Sequence, residues 1–298
     1  MANEIRPEGF EASTYWKSRD FKTSARLHLQ HWLFQSTLDF VLHPTITSSL
    51  LSSESQRPLR VADLGCGNGA WLVDLCHTLS KDSTFYGFDI QPIHFPSPSY
   101  LPSNIHLLQQ NVIDASIPAD LEGSFDLVHI RAFGSSIRNS NASPILSAAH
   151  RLLKPGGWLQ WDEADTSAMT AQSANTNAAT GHQRCTALLQ LLEAGGKATG
   201  TTSDWLGNLD KQFEGNGFED VGVKKYGLRM EQYKAWTEDY LLVYEELAQY
   251  FPREAEVKAA PMTREKYEAF FDAVVAETNA GAVIHSQWLL CSVGKKRE

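Results

Sequence analysis

Val61-Ala62-Asp63-Leu64-Gly65-Cys66-Gly67-Asn68-Gly69 is an apolar run that ends in an acid and enters three alternating glycines. Twenty residues past the last glycine, Phe85-Tyr86-Gly87-Phe88-Asp89-Ile90 is a second short apolar run closed by another acid. These are the parts of a nucleotide site. The glycines let the backbone turn sharply after the first strand and let a ligand come close, and the acid that ends the second strand can take both ribose hydroxyls. The spacing is G-x-G-x-G with an acid inside the strand end, not the G-x-G-x-x-G of a dinucleotide fingerprint.

Working outward, strand candidates 60–64, 84–89, 105–109, 125–131 and 157–162 alternate with helix candidates 70–80, 142–153 and 182–195. That alternation predicts a doubly wound α/β fold, a parallel sheet with helices on both faces. Upstream, mixed three- and four-residue steps of Leu27, Leu29, Trp32, Leu33, Leu38, Val41 and Leu42 predict one helix over 20–42, stopped by His43-Pro44 and followed by a Ser-rich link to Ser55. Downstream, 218–228 and 282–293 read as strands. Between them, Trp236, Tyr240, Val243, Tyr244 and Leu247 share a helical face, and Thr263 is placed to cap a second helix carrying Tyr267, Phe270, Phe271 and Val274. Lys154-Pro155-Gly156-Gly157 reads as a helix stop and tight turn.

Bulk properties narrow the class. The chain has 298 residues, 42% hydrophobic and 20% charged, enough for a sizeable core. A net charge of −9 argues against a nucleic-acid footprint. No stretch has the length of a membrane span, and the polar start is no signal peptide, so a cytoplasmic location is expected. The four cysteines form no CxxC pair, and neither an H-E-x-x-H metal motif nor a G-x-S-x-G elbow occurs.

The glycine loop with its preceding acid resembles motif I of class I S-adenosylmethionine (SAM) methyltransferases, and more of the chain follows. Asp89 matches the ribose-binding acid, Ser124 to His129 the fourth strand, and Leu153 to Gly157 the turn into the fifth. Tyr15 to Asp20, Arg26 to Trp32, Leu127 to Arg131 and the strand end from Gly157 to Glu163 are similar to fungal secondary-metabolite methyltransferases and methyltransferase-like proteins. The resemblance implies a Rossmann-like seven-stranded sheet with the last strand antiparallel. It implies N-terminal helices over 1–56 acting as a lid, a SAM-binding domain over 57–298, and a helical insertion near 231–280 forming a substrate pocket. It further implies SAM as cofactor, a small-molecule acceptor with oxygen as the expected atom, and a possible homodimer. An acid-rich loop suits SAM, whose sulfonium is cationic. The chain departs from the family at the third strand, where many relatives carry Asp-Ala beside the adenine and this one has Asn111-Val112, with Asp114 behind.

The cofactor-site candidates are Asp63, Gly65, Gly67, Asp89 with Ile90 beside it, Asn111, Val112, Arg131 and Tyr15. Asp63 reads as a neighbour of the amino-acid moiety or as a structural acid of the loop. His129 is the catalytic candidate, since an unperturbed imidazole titrates near ~6.5 and can take a hydroxyl proton, and equally reads as a buried, hydrogen-bonded strand residue. Arg131 reads as a buried partner of a site acid or of the methionine carboxylate. Tyr15 and Trp16 read as a lid or as packing. Glu163 and Asp165 are placed to line the pocket, hold an amine or face water; His285 is a second base candidate. Met230, Tyr233, Trp236 and Met262 read as pocket wall or core. Three other functions stay open: a SAM-binding protein catalysing a non-methylating pericyclic or dehydration step, a regulatory scaffold of secondary metabolism, and an NAD-dependent oxidoreductase.

Overall fold

Strand β1 (Arg60–Leu64) lies inside a seven-stranded sheet with β2 (Thr84–Asp89) and β3 (Ile105–Gln109) on one side and β4 (Phe125–Arg131) and β5 (Leu153–Ala164) on the other. The computed structural model describes residues 21–51, 57–113, 117–173, 181–256 and 260–298. Strands β1 to β5 pair in parallel. Strand β9 (Trp288–Lys296) then runs antiparallel between β5 and β7 (Phe218–Gly227), giving the order β3-β2-β1-β4-β5-β9-β7. The chain moves outward from β1 to β3 and returns to β4 on the other side of β1, so the crevice for a ligand opens at the carboxyl ends of β1 and β4.

β1 and β4 are buried along nearly their whole length, as strands covered on both faces are. One face packs α4 (Ser143–Leu152), α6 (Leu209–Gly215) and the buried rings of Trp161, Trp205, Phe213 and Phe218. In α4 the inward stripe Ile145, Leu146, Ala148, Ala149 and Leu152 has helical spacing, and each large apolar side chain buried contributes roughly 1.5–3 kcal/mol. The other face packs α1 (Phe21–Leu38) and α3 (Ala70–Cys76) through Leu33, Phe34, Trp71, Leu72 and Leu75. Gly87 in β2 has a steric cause: a Cβ there would lie 2.6 Å from Leu107 and 2.7 Å from Cys66 Sγ. A third cluster, built from α5 (Gln183–Thr199), α8 (Arg264–Asn279) and β8 (Ala282–Ser286), sits apart from the main sheet.

The elements differ from the sequence reading in several places, one being that Lys154-Pro155-Gly156-Gly157 belongs to β5, which starts directly after α4, and is not a turn before it. His43-Pro44 does not end the first helix; α1 stops at Leu38, Asp39 takes φ +66°, and His43 Nδ1 accepts from Thr45 N to begin α2 (Pro44–Leu50). The helix expected over 70–80 closes after Cys76. The strand expected over 282–293 is two strands: β8 leaves the main sheet and pairs antiparallel with β6 (Met169–Ser173), which has no strong pattern of its own, and β9 enters the main sheet. The insertion between β7 and β9 therefore holds α7 (Tyr233–Glu245), α8 and a strand. Thr263 caps α8 as expected, accepting from Lys266 N at 3.3 Å. Among the described residues no helix is long and apolar enough to cross a membrane.

Candidate functional site

The loop after β1 is drawn tightly onto the end of β2. Gly65 N and Cys66 N both donate to Phe88 O, and Gly67 N donates to Asp89 Oδ2 at 2.9 Å. Gly65, Gly67 and Gly69 have φ of +73°, +55° and +75°, a region costly for any residue with a Cβ. At Gly67 a Cβ would also lie 3.0 Å from Leu27 of α1. Asp89 Oδ1 accepts from Gln91 N at 2.8 Å, so both carboxylate oxygens are oriented by the backbone, and each keeps further acceptor capacity. Burial pushes the Asp89 carboxyl up, opposed by the N–H groups of Gln91 and Gly67.

A cavity of about 340 Å³ opens above this loop. It collects Asp63, Gly65, Gly67, Asp89, Ile90, Asn111, Val112, His129 and Arg131, the sequence candidates except Tyr15, which lies outside the described residues with Trp16 and Asp114. Asn111 follows β3, where its Oδ1 accepts from Ile113 N and shapes the turn.

His129 takes the buried reading. It is fully enclosed and stacked on Trp71 at 3.7 Å and 5°. Its Nδ1 lies 2.7 Å from Asp63 Oδ1 and its Nε2 3.2 Å from Asp162 Oδ2. Ionised carboxylates only accept, so an imidazole satisfies both by donating from both nitrogens, and no nitrogen is left to take an acceptor's proton. The base role expected for His129 has no geometric support; the residue is a bridge between β1 and β5.

That bridge is one span of a longer chain. Arg131 donates from Nη2 to Asp162 Oδ2 at 2.8 Å and from Nη1 to His31 Nδ1 at 3.0 Å. Because guanidinium has only donors, His31 Nδ1 is the acceptor and its Nε2 carries the proton donated to Asp74 Oδ2 at 3.0 Å. Burial and the charge of Arg131 both lower the pKa of His31. At Asp162 burial alone would raise the carboxyl; the Arg131 charge and the His129 contacts overcome it and hold the group well below the usual range. Asp74, His31, Arg131, Asp162, His129 and Asp63 thus connect α3, α1, β4, β5 and β1 across the floor of the cavity.

Three donors at this cavity lack an acceptor among the described residues: the whole guanidinium of Arg26, Arg131 Nε and Asn68 Nδ2. Arg26 is 1% exposed, and its nearest acid is Asp239 of α7, at 3.9 Å. Sequence reasoning missed Arg26, His31, Trp71 and Asp162 as site residues. The helix offered a signal: Arg26 and Gln30 are four residues apart, which places polar groups on one helical face beside the apolar stripe.

Residues 62–159 match the family described as a methyltransferase domain. Over that stretch the chain resembles methyltransferases. The curated relatives are fungal. It is 32% identical over 173 residues to the methyltransferase grgD of a Penicillium species, 55% of this chain and 56% of that protein. It is 31% identical over 162 residues to the N-methyltransferase tcpN of Claviceps purpurea, 54% of this chain and 55% of that protein. It is 27% identical over 223 residues to the N-methyltransferase sirN of Leptosphaeria maculans, 73% of this chain and 71% of that protein. The chain spans about half the length of the first two.

A second cavity of about 650 Å³ shares Gln30, Ala132 and Ser135 with the first. Of the secondary candidates, Glu163 and Trp236 line it. Asp165 is buried with Lys225 Nζ at 3.1 Å, and His285 stacks on Tyr233 at 3.8 Å with Nδ1 donating to Ser286 O; these three line neither cavity. Met230 is 75% exposed, and Met262 packs in the third cluster, so the expected wall of Met230, Tyr233, Trp236 and Met262 reduces to Trp236.

Proposed function

We propose that the protein transfers a methyl group from SAM to a small-molecule acceptor, with SAM in the first cavity and the acceptor in the second. The observation that carries this reading is the gathering at the first cavity of two acids with the Arg26 guanidinium and Arg131 Nε, which have no hydrogen-bond acceptor among the described residues. Arg26, with Arg131 Nε beside it, suits the carboxylate of an amino-acid tail; Asp63 suits the ammonium of the same tail; Asp89 suits the ribose hydroxyls; Asn111 and Val112 lie at the position for adenine. SAM bound there supplies an electrophilic methyl on a cationic sulfur. The protein's own task is then alignment and exclusion of water, and positioning of two reactants alone is worth about 7–11 kcal/mol. The buried chain from Asp63 to Asp74 keeps the loop after β1 and helix α1 in register for that task.

The expectation of oxygen as acceptor atom draws no support from the relatives, two of which are named N-methyltransferases. Nitrogen is the better reading. Residues 1–56 as a lid and 231–280 as the acceptor-pocket insertion are parts of the same proposal. For the insertion, support comes from Trp236, Asp239, Tyr240, Val243 and Tyr244 of α7 at the second cavity.

The test is calorimetric titration of wild type and Asp89→Ala with S-adenosylhomocysteine and with NAD. We expect S-adenosylhomocysteine alone to bind, and Asp89→Ala to weaken it roughly ten- to hundredfold through loss of charged hydrogen bonds. Folded, ligand-free wild type that binds no S-adenosylhomocysteine would overturn the proposal.

A further inference from the structure

The second cavity has an unbalanced charge. Its apolar wall includes the aromatic rings of Phe34, Trp236, Tyr240 and Tyr244. The charged side chains lining it are four carboxylates, Glu163, Glu193, Asp204 and Asp239, against one ammonium, Lys197, which is already paired with Glu193. Two of those acids are buried. Asp239 has Gln30 Nε2 at 3.3 Å and Arg26 at 3.9 Å, whereas Glu163 has no ion-pair partner among the described residues.

The two oxygens of Glu163 are in different states. Oε2 accepts three N–H groups: Phe133 N at 2.8 Å, Gly134 N at 3.0 Å and Trp161 Nε1 at 3.2 Å. Oε1 has Ala164 N of its own strand at 3.3 Å. The carboxylate is therefore fixed by one oxygen, and the other keeps acceptor capacity beside a cavity next to the proposed cofactor site.

We propose that Glu163 Oε1 binds the protonated amine of an aromatic or otherwise apolar small molecule and takes the proton that must leave before the nitrogen reacts. This rests on the methyl-transfer reading and deepens it by naming the acceptor class. In the proton step an N–H bond breaks, its electron pair stays on nitrogen, and an O–H bond forms at Oε1. The freed pair makes the new N–C bond while the C–S pair goes to sulfur, so the positive charge passes from sulfonium to the methylated ammonium. A carboxylate or phosphate acceptor would meet an excess of acids here. A neutral alcohol would leave the buried Glu163 without a cation. Burial pushes the Glu163 carboxyl up to about 7, against the N–H groups of Trp161, Phe133, Ala164 and Gly134, so near neutral pH it can take a proton and release it again.

The test uses the full chain saturated with S-adenosylhomocysteine and titrated with 2-phenylethylamine, with 2-phenylethanol as the uncharged counterpart. We expect the amine to bind about tenfold or more tightly than the alcohol in wild type, and Glu163→Gln to erase that preference. S-adenosylhomocysteine affinity should stay within about twofold in the variant. Gly134→Ala gives a second reading if Glu163→Gln does not fold. Its Cβ would sit 3.5 Å from Oε1, in ordinary contact with its surroundings but in the space of an ammonium, and should weaken amine binding roughly fivefold. Equal affinity for amine and alcohol, no amine binding, or an amine preference that survives in Glu163→Gln would overturn the assignment. If wild type binds no S-adenosylhomocysteine, it is the methyl-transfer reading that fails.

Discussion

Asp162 and Glu163 are neighbours on β5, and the pleat sends them to opposite faces of the sheet, one toward each cavity's supporting structure. Both are buried. Asp162 meets Arg131 and His129 and is held ionised; Glu163 meets N–H dipoles and, among the described residues, no cation, and its carboxyl rises. The difference separates the two ends of the molecule. At the cofactor end the charges from Asp63 to Asp74 pair with one another and fix loops in place beside the open Arg26 guanidinium, whereas the acceptor end keeps the Glu163 carboxylate open for something that arrives.

The largest expected effect comes from breaking the paired charges. His129→Leu leaves Asp63 without its partner and Asp162 with one fewer, and should cost about 3–5 kcal/mol of stability by urea unfolding. Unchanged stability with methyl transfer lost would mean that His129 acts as a base after all, and the contrast between the two ends would collapse.

Next comes pH. A carboxyl whose pKa is raised on folding binds its proton more tightly in the folded state, so its contribution to stability falls as pH rises from about 4.5 to about 7. For Glu163 the fall is roughly 3 kcal/mol across that window. Asp162, held low, loses its contribution only at acid pH and adds no slope there. Urea unfolding at pH 5 and pH 8 should therefore show a drop in wild type that is smaller by this amount in Glu163→Gln. Identical drops would place Glu163 in a more solvated setting than its burial indicates.

What the sequence made legible follows the same division. Gly65, Gly67, Asp63 and Asp89 were readable because a nucleotide loop fixes residue type and spacing within about thirty residues of chain. The parallel sheet was readable because strands buried on both faces are apolar throughout. Arg26 and Asp162 were not, since each acquires its meaning from a partner distant in sequence: Asp239 lies beyond β7, and Asp162 needs both His129 and Arg131. β6 was missed because a two-stranded pair away from the core has weak alternation, and β8 was merged with β9 because one residue separates them. The role of His129 stayed open in sequence because a buried bridge and a general base use the same residue at the same strand end.

Arg26→Met tests whether the orphaned guanidinium waits for a ligand. It should weaken S-adenosylhomocysteine binding roughly ten- to hundredfold, as expected for a buried charged hydrogen bond. Ligand-free stability should hold or rise, because a buried cation with poor partners is replaced by an apolar side chain of similar length. A variant that loses stability and keeps its affinity would make Arg26 a structural partner of Asp239 instead.

The smallest effect is the sharpest discriminator between the ends. Leu27 of α1 lines the first cavity beside Gly67, and Val243 of α7 lines the second. Both are half-buried, so truncation to Ala removes little packing, on the order of 1 kcal/mol of contact with whatever fills the adjoining space. Leu27→Ala should weaken S-adenosylhomocysteine about fivefold and leave 2-phenylethylamine within about twofold, with the reverse for Val243→Ala. S-adenosylhomocysteine is titrated into the ligand-free variants, and the amine into the same proteins once they are saturated with it. If Val243→Ala weakens S-adenosylhomocysteine and spares the amine, the two spaces act as one cofactor cleft, and the acceptor must enter elsewhere. If each variant weakens both ligands equally, the shared wall of Gln30, Ala132 and Ser135 transmits every change, and the two ends are coupled through that wall.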